Sequence, residues 1–281
     1  MEHDFAKIRD EALVSPDWLL AHLRTPDLRI VDMRKGEGYS QAHIVGAVTH
    51  GGSPFLRENS DVISSRSFAA LMHEIGVNRD NTIIAYDDGN NLFAARLWWV
   101  ARYYGHTRIK VLDGGWDAWQ ALSMPTSTVS PVLTAGHFSP AVQPSLIAST
   151  EYVHSVLGRP NIQLLDVRGR EEWTRTTSEG GSIAGHIPGA HHIVWTDVID
   201  GSTKRFRSGE ELRHFFLAAG LKPRAEIIPY CQGGIRAAHA MLALHLAGLG
   251  PARNYEGSWG AWSKSGLEIE LPAVLPSGEM R

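Results

Sequence analysis

The one cysteine in these 281 residues, Cys231, stands where a short apolar run (Ile227, Ile228, Pro229, Tyr230) meets the loop Cys231-Gln232-Gly233-Gly234-Ile235-Arg236. An alanine-rich stretch of helical character, Ala237 to Ala247, follows at once. A strand, a tight glycine loop and a helix start, in that order, aim several backbone N–H groups at one point. A thiol there faces the positive end of a helix dipole and a nearby guanidinium, and both favour thiolate. Gly233 and Gly234 let the backbone close around it. A lone cysteine is usually a buried small hydrophobe. Its setting is what marks Cys231 as the candidate nucleophile.

The elements that must position this loop occur twice. Leu28-Arg29-Ile30-Val31-Asp32-Met33-Arg34 matches Ile162-Gln163-Leu164-Leu165-Asp166-Val167-Arg168 at an offset of 134. Ala42-His43-Ile44-Val45-Gly46-Ala47 matches Gly185-His186-Ile187-Pro188-Gly189-Ala190 at 143, which places an insertion of nine residues within 174–183. Phe68, Leu71, Met72 and Ile75, spaced as one helix face, match Leu212, Phe215, Phe216 and Ala219 at 144. Gly76 and Gly220 are the stops, and Ser208 with Glu211 forms a capping-box pattern. Ile83-Ile84-Ala85-Tyr86 matches Ile227-Ile228-Pro229-Tyr230, again at 144, and Gly114-Gly115-Trp116 through Trp119 matches Gly257-Ser258-Trp259 through Trp262 at 143. Five blocks in one order make the chain a tandem duplication.

Each copy alternates short β-branched runs with helical patterns, which predicts an α/β fold around a mainly parallel sheet. Such sheets bind ligands beyond the carboxyl ends of their strands, where the Cys231 loop falls. The first copy spans 8–124 and the second 147–275. Residues 125–146, rich in Ser, Thr, Pro and Ala, read as a linker. The copies differ where it matters. Asp87 stands at the position of Cys231, in a loop one residue longer, so thiol chemistry belongs to the second copy alone.

Composition narrows the class. With 43% hydrophobic and 20% charged residues and a formal charge of −3, the chain reads as a soluble globular protein without a nucleic-acid or membrane footprint. No apolar stretch approaches the ~20 residues that span a bilayer. Met1-Glu2-His3-Asp4-Phe5 lacks a signal-peptide layout, and one cysteine fits a reducing compartment, so the expected location is cytoplasmic. Scattered histidines have no zinc-ligand spacing, and no metal or cofactor is expected.

These motifs together resemble the rhodanese superfamily, and specifically its two-domain sulfurtransferases. The resemblance rests on Asp-x-Arg after the first strand, Gly-His-Ile-Pro-Gly-Ala at 185–190, the Cys231–Arg236 loop and Gly-Ser-Trp-Gly-Ala-Trp at 257–262. It implies two tandem rhodanese-like domains, the first inactive. It also implies a persulfide cycle in which Cys231 takes sulfur from a small donor and passes it to a thiophilic acceptor such as cyanide or a thiol. Gln232, Gly233, Gly234, Ile235 and Arg236 would hold the sulfur, and Arg168 and Arg170 are candidates for the donor's anionic end, Arg170 the more distinctive because Arg168 has a counterpart in Arg34. Four residues separate Cys231 from Arg236, whereas related cysteine phosphatases have five, which favours sulfur over phosphate. The loop is neither the cationic form often seen in thiosulfate enzymes nor the form often seen in mercaptopyruvate enzymes. The segment after Arg236, and Glu172 where mercaptopyruvate enzymes tend to carry arginine, tilt the expectation to thiosulfate. The rivals are a 3-mercaptopyruvate sulfurtransferase, a cysteine phosphatase or arsenate reductase, and a persulfide carrier that loads sulfur without turnover. His43 and His186, Asp32 and Asp166, Arg34 and Arg168, and the paired tryptophans recur in both copies and read as structural.

Overall fold

The computed structural model describes residues 4–49, 55–59, 61–176, 178 and 183–272. The second copy's expected limit at 275, and part of the insertion expected in 174–183, lie outside the described residues. The chain forms two compact units, Met1–Pro144 with Val198–Gly209, and Ser145–Asp197 with Glu210–Arg281.

In the first unit four parallel strands lie in the order β1 (Leu13–Val14), β4 (Ile109–Leu112), β3 (Thr82–Tyr86) and β2 (Leu28–Asp32). In the second unit β6 (Ile162–Asp166) lies between β7 (His191–His192) and β8 (Glu226–Tyr230), all parallel. There β5 (Ile147–Ala148) pairs in parallel with β9 (Asn254–Tyr255), and a parallel bridge joins Ile227 to Ala252 just before β9. Both units are built on mainly parallel sheets flanked by helices; in the first, His43–Ile44 pairs antiparallel with Thr126–Ser127 and Arg57–Glu58 with Asp61–Val62. No helix among the described residues is long and apolar enough to cross a membrane.

The helical stripes fold as their spacing predicts. Ser64 caps α2 (Ser65–Glu74), accepting the Ser67 N–H at 3.2 Å, and Phe68, Leu71 and Met72 are buried. Its counterpart α6 (Gly209–Ala218) starts directly after Ser208 and buries Leu212 and Phe216. Paired tryptophans anchor both cores. Trp119 donates to the Pro125 carbonyl at 3.0 Å and Trp262 to that of Glu268 at 2.9 Å, so each indole is buried with its N–H satisfied.

The strand-end motif is also the same in both units. Asp32 accepts the Arg34 N–H at 2.9 Å and the Arg34 side chain, whose guanidinium lies 4.1 Å from the Trp116 ring centroid. Asp166 does the same for Arg168, which sits 4.7 Å from the Trp259 ring and donates to the Gly185 carbonyl at 2.8 Å. These arginines are fully committed to the fold. His43 is buried between the carbonyls of Tyr39 and Val129, and His186 stacks on Trp173 at 3.8 Å.

Two segments do what their composition did not suggest. The stretch after Pro125, extended as its prolines suggest, is also tied to the first unit by hydrogen bonds, which its composition did not suggest. His73 holds Gly136 through both its backbone carbonyl and its ring, Asn78 accepts the His137 N–H, and Tyr104 accepts that of Ala141. Residues 198–209, which lie within the second copy in sequence, pack into the first unit. Asp113 accepts the Phe206 N–H at 2.9 Å, and Arg9 of α1 (Phe5–Ala12) bridges Asp113 to the Phe206 and Arg207 carbonyls.

Candidate active site

Strand β8 ends at Tyr230, and α7 (Ile235–Leu246) begins after Gly234, so residues 231–234 form a tight connection at the carboxyl edge of the sheet. Cys231 is 1% exposed. Gly234 has a φ of +80°, and a Cβ there would lie 2.4 Å from the Glu256 carboxylate. Only glycine fits both the conformation and the space.

The loop backbone is gripped by the start of α8 (Ser258–Trp262). Ser258 Oγ accepts the N–H groups of Cys231 at 3.1 Å and Gly234 at 3.0 Å, and donates to the Tyr255 carbonyl at 2.7 Å. In return the Trp259 N–H reaches the Cys231 carbonyl at 2.9 Å and the Gly260 N–H that of Gln232 at 3.0 Å. Ser258 is wholly buried with a φ of +52°, a conformation that costs a non-glycine residue about 1–3 kcal/mol. The hydrogen bonds hold it there.

Among the described residues, the N–H groups of Gln232, Gly233, Ile235, Arg236 and Ala237 have no acceptor. The first unit reveals what such groups gather around. There the buried Asp87 carboxylate accepts N–H groups from Gly89 at 2.8 Å, Asn91 at 3.0 Å, Phe93 at 2.6 Å and Ala94 at 2.8 Å. Asn91 precedes α3 (Leu92–Tyr103) as Gly234 precedes α7, so Phe93 and Ala94 correspond to Arg236 and Ala237. The Asp87 carboxylate is the anion of its own loop.

Arg236 is half-buried. It binds Glu172 of α5 (Arg170–Thr174) through two bonds, Nη1–Oε2 at 2.5 Å and Nη2–Oε1 at 2.9 Å, and Glu172 also accepts the Gly169 N–H at 2.9 Å. Burial alone would raise the Glu172 pKa, but Arg236 and the Gly169 N–H hold it below the ordinary carboxylate range. Burial likewise works against the Arg236 charge, and Glu172 together with the Cys231 side chain more than restores it.

The structure brings Cys231, Gly233, Gly234, Ile235 and Arg236 to one turn, with Gln232 beside them and exposed. Arg170 is not drawn in: it is exposed at the start of α5. Arg168 and Arg175 instead line a cavity of about 140 Å³, together with Glu172, Gln232, Trp259 and Lys264. Sequence reasoning did not single out Ser258, and it noted Glu172 for the donor but not as the partner of Arg236. The Gly115-to-Ser258 difference between the copies was a signal for the first; nothing local signals a pair 64 residues apart.

A model of the rhodanese-like domain matches residues 15–122 and again 149–265. The chain belongs to the rhodanese family. A thiosulfate sulfurtransferase of Corynebacterium glutamicum is 35% identical over 96% of this chain and 91% of its own. The sulfur carrier protein TtuD of Thermus thermophilus is 32% identical, with 90% and 93% covered. Among solved structures, SseA of Escherichia coli, described as a 3-mercaptopyruvate sulfotransferase, superposes with a TM-score of 0.76 at 28% identity, covering 88% of this chain and 98% of that one. Sulfur transfer is the chemistry common to these relatives, so a sulfur-transferring role is supported for the tandem rhodanese-like domains.

Proposed function

We propose that this rhodanese is a thiosulfate sulfurtransferase that works through a persulfide on Cys231. The observation that carries the reading is the Asp87 loop. Each Asp87 carboxylate oxygen lies two bonds from Cβ, as the terminal sulfur of a cysteine persulfide does. The nest that surrounds those oxygens in the first unit is left open around residue 231 in the second, with the Arg236 and Ala237 N–H groups in the matching places. A terminal persulfide sulfur is anionic, and convergent N–H donors stabilise it without a general base.

The first step balances as a displacement. The Cys231 thiolate attacks the outer sulfur of thiosulfate, the S–S bond of the donor breaks, and its electron pair leaves with sulfite. A thiophilic acceptor such as cyanide then attacks the terminal sulfur and the pair returns to Cys231, giving thiocyanate and the free thiolate. Arg236, fixed by Glu172, keeps a positive charge beside both anionic forms. Thiosulfate is a dianion, and the cavity whose lining includes Gln232 also has Arg175 and Lys264 on it, neither engaged by another described side chain. That favours a small, doubly charged donor.

Thiocyanate formation from cyanide, with thiosulfate and 3-mercaptopyruvate offered separately, tests the donor. Thiosulfate is expected to give the higher kcat/KM; a reversed order keeps the persulfide and changes the donor. Loading of sulfur on Cys231 without turnover identifies a carrier, and Cys231-dependent cleavage of an aryl phosphate identifies a phosphatase. Glu172→Gln tests the arginine's support. It is expected to lower kcat/KM for thiosulfate about tenfold, while stability changes by about 1 kcal/mol or less because the pair is partly exposed. Steady-state rates and thermal unfolding read the two effects.

A further inference from the structure

The two loops differ at two positions that face each other. Asp87 becomes Cys231, and Gly115 becomes Ser258. The second change is conformationally unfavourable, since both residues lie in the left-handed region, at φ +55° and +52°. In the first unit a Cβ on Gly115 would lie 2.2 Å from the Asp87 carbonyl oxygen. The second unit makes room for a side chain at the equivalent place and fills it with a hydroxyl. That demands a compensating use.

The hydrogen bonds supply one. A carboxylate has two oxygens, and Asp87 uses both to take four N–H groups, that of Asn91 included. A persulfide offers a single terminal sulfur. Put in place of the carboxylate, it would leave part of this buried nest without an acceptor. In the second unit the N–H of Gly234, the counterpart of Asn91, goes to Ser258 Oγ, as does the N–H of Cys231 itself. With its proton given to Tyr255, the hydroxyl is saturated.

We propose that Ser258 is a positioning residue that converts the nest from one shaped for a two-oxygen anion to one shaped for a single sulfur. It takes the Gly234 N–H out of the set, fixes the Cys231 N–H as well, and leaves those of Gly233, Arg236 and Ala237, the counterparts of Gly89, Phe93 and Ala94, for the sulfur. The inference rests on the persulfide reading for its purpose, but the coupling between residues 231 and 258 can be tested without it.

A four-member set does so: the wild type, Ser258→Gly, Cys231→Asp, and the double variant, each followed by thermal unfolding. Ser258→Gly is expected to lower the unfolding midpoint of the wild type, because two loop N–H groups lose their acceptor. In the Cys231→Asp background the same change is expected to raise it, because it restores the first unit's arrangement. A shift of the same sign in both backgrounds overturns the proposal and makes Ser258 a purely structural residue. The second measurement is sulfur loading of Cys231 by thiosulfate, followed by mass spectrometry. Ser258→Gly is expected to slow loading at saturating donor about tenfold with half-saturation unchanged; an unchanged rate overturns the proposal. If wild type takes up no sulfur, the persulfide reading fails while the unfolding set still decides the role of Ser258.

Discussion

Cys231→Ser is expected to abolish sulfur transfer, by about 10³-fold or more, while leaving the unfolding transition within about 1 kcal/mol of wild type. The chemical loss follows from the nucleophile. A serine hydroxyl has no base beside it in this loop; its neighbours are the cations and N–H donors that suit a preformed anion. It also forms no analogue of a persulfide whose outer atom can be handed on. The small structural effect follows from size and partners. Oxygen for sulfur shortens the side chain slightly, and the N–H groups that have no acceptor around residue 231 give a hydroxyl a partner. Thiocyanate production and intact-protein mass after thiosulfate treatment check the first expectation, and a thermal melt the second. Because Cys231 is the only cysteine, any sulfur that still adds covalently to the variant contradicts the mechanism.

What was legible in the sequence is what repeats locally. The offset of 144 aligned Asp87 with Cys231, and the period of Phe68, Leu71 and Met72 placed a helix that folds as Ser65–Glu74. The twin tryptophans, the Asp-x-Arg pairs and His43 read as structural because both copies carry them, and their bonds are indeed committed to backbone and aromatic partners. What was not legible depends on chain meeting chain at long separation. Glu172 reaches Arg236 across 64 residues, while Arg170, two positions earlier, points to solvent. Neither composition nor periodicity distinguishes two charged residues on one short helix. The proline- and serine-rich stretch after Pro125 read as a linker because its composition lacks a period, and nothing in it signalled what it would bind to. Its order comes from His73, Asn78 and Tyr104, residues of the first copy that supply the hydrogen bonds it cannot make for itself. Ser258 fell between the two cases. The Gly-to-Ser difference was visible, but its sense depends on a positive φ and on the two N–H groups that converge on its hydroxyl.

Asp87 carries the second large expectation, and it concerns stability. Because Asp87 cannot serve as a nucleophile, Asp87→Ala is expected to leave the chemistry largely unaffected; stability is another matter. Asp87→Ala removes the acceptor of four N–H groups at once, three of them buried and that of Gly89 partly so. Water entering the vacated space recovers part of that loss, and about 3–5 kcal/mol of unfolding free energy is expected to disappear at pH 7. Sulfur loading at Cys231, measured well below the lowered midpoint, is expected to persist. The same group gives a pH signature. Burial pushes the Asp87 carboxyl up to about 6, against the pull of the N–H groups from Ala94, Gly89 and Phe93. The folded chain therefore holds a proton between about pH 4 and 6 that the unfolded chain has already released. The proton-linked part of this group's stability is complete below about pH 4 and is lost as the pH rises through 6, by about 3 kcal/mol, while the N–H bonds to the carboxylate remain. Asp87→Asn has no such proton. The unfolding free energy of wild type relative to Asp87→Asn is thus expected to fall between pH 4 and 6 and to level off above about pH 7. A difference that stays flat from pH 4 to 8 would mean the carboxylate is as ionised in the folded loop as in water, with its four N–H donors fully offsetting its burial.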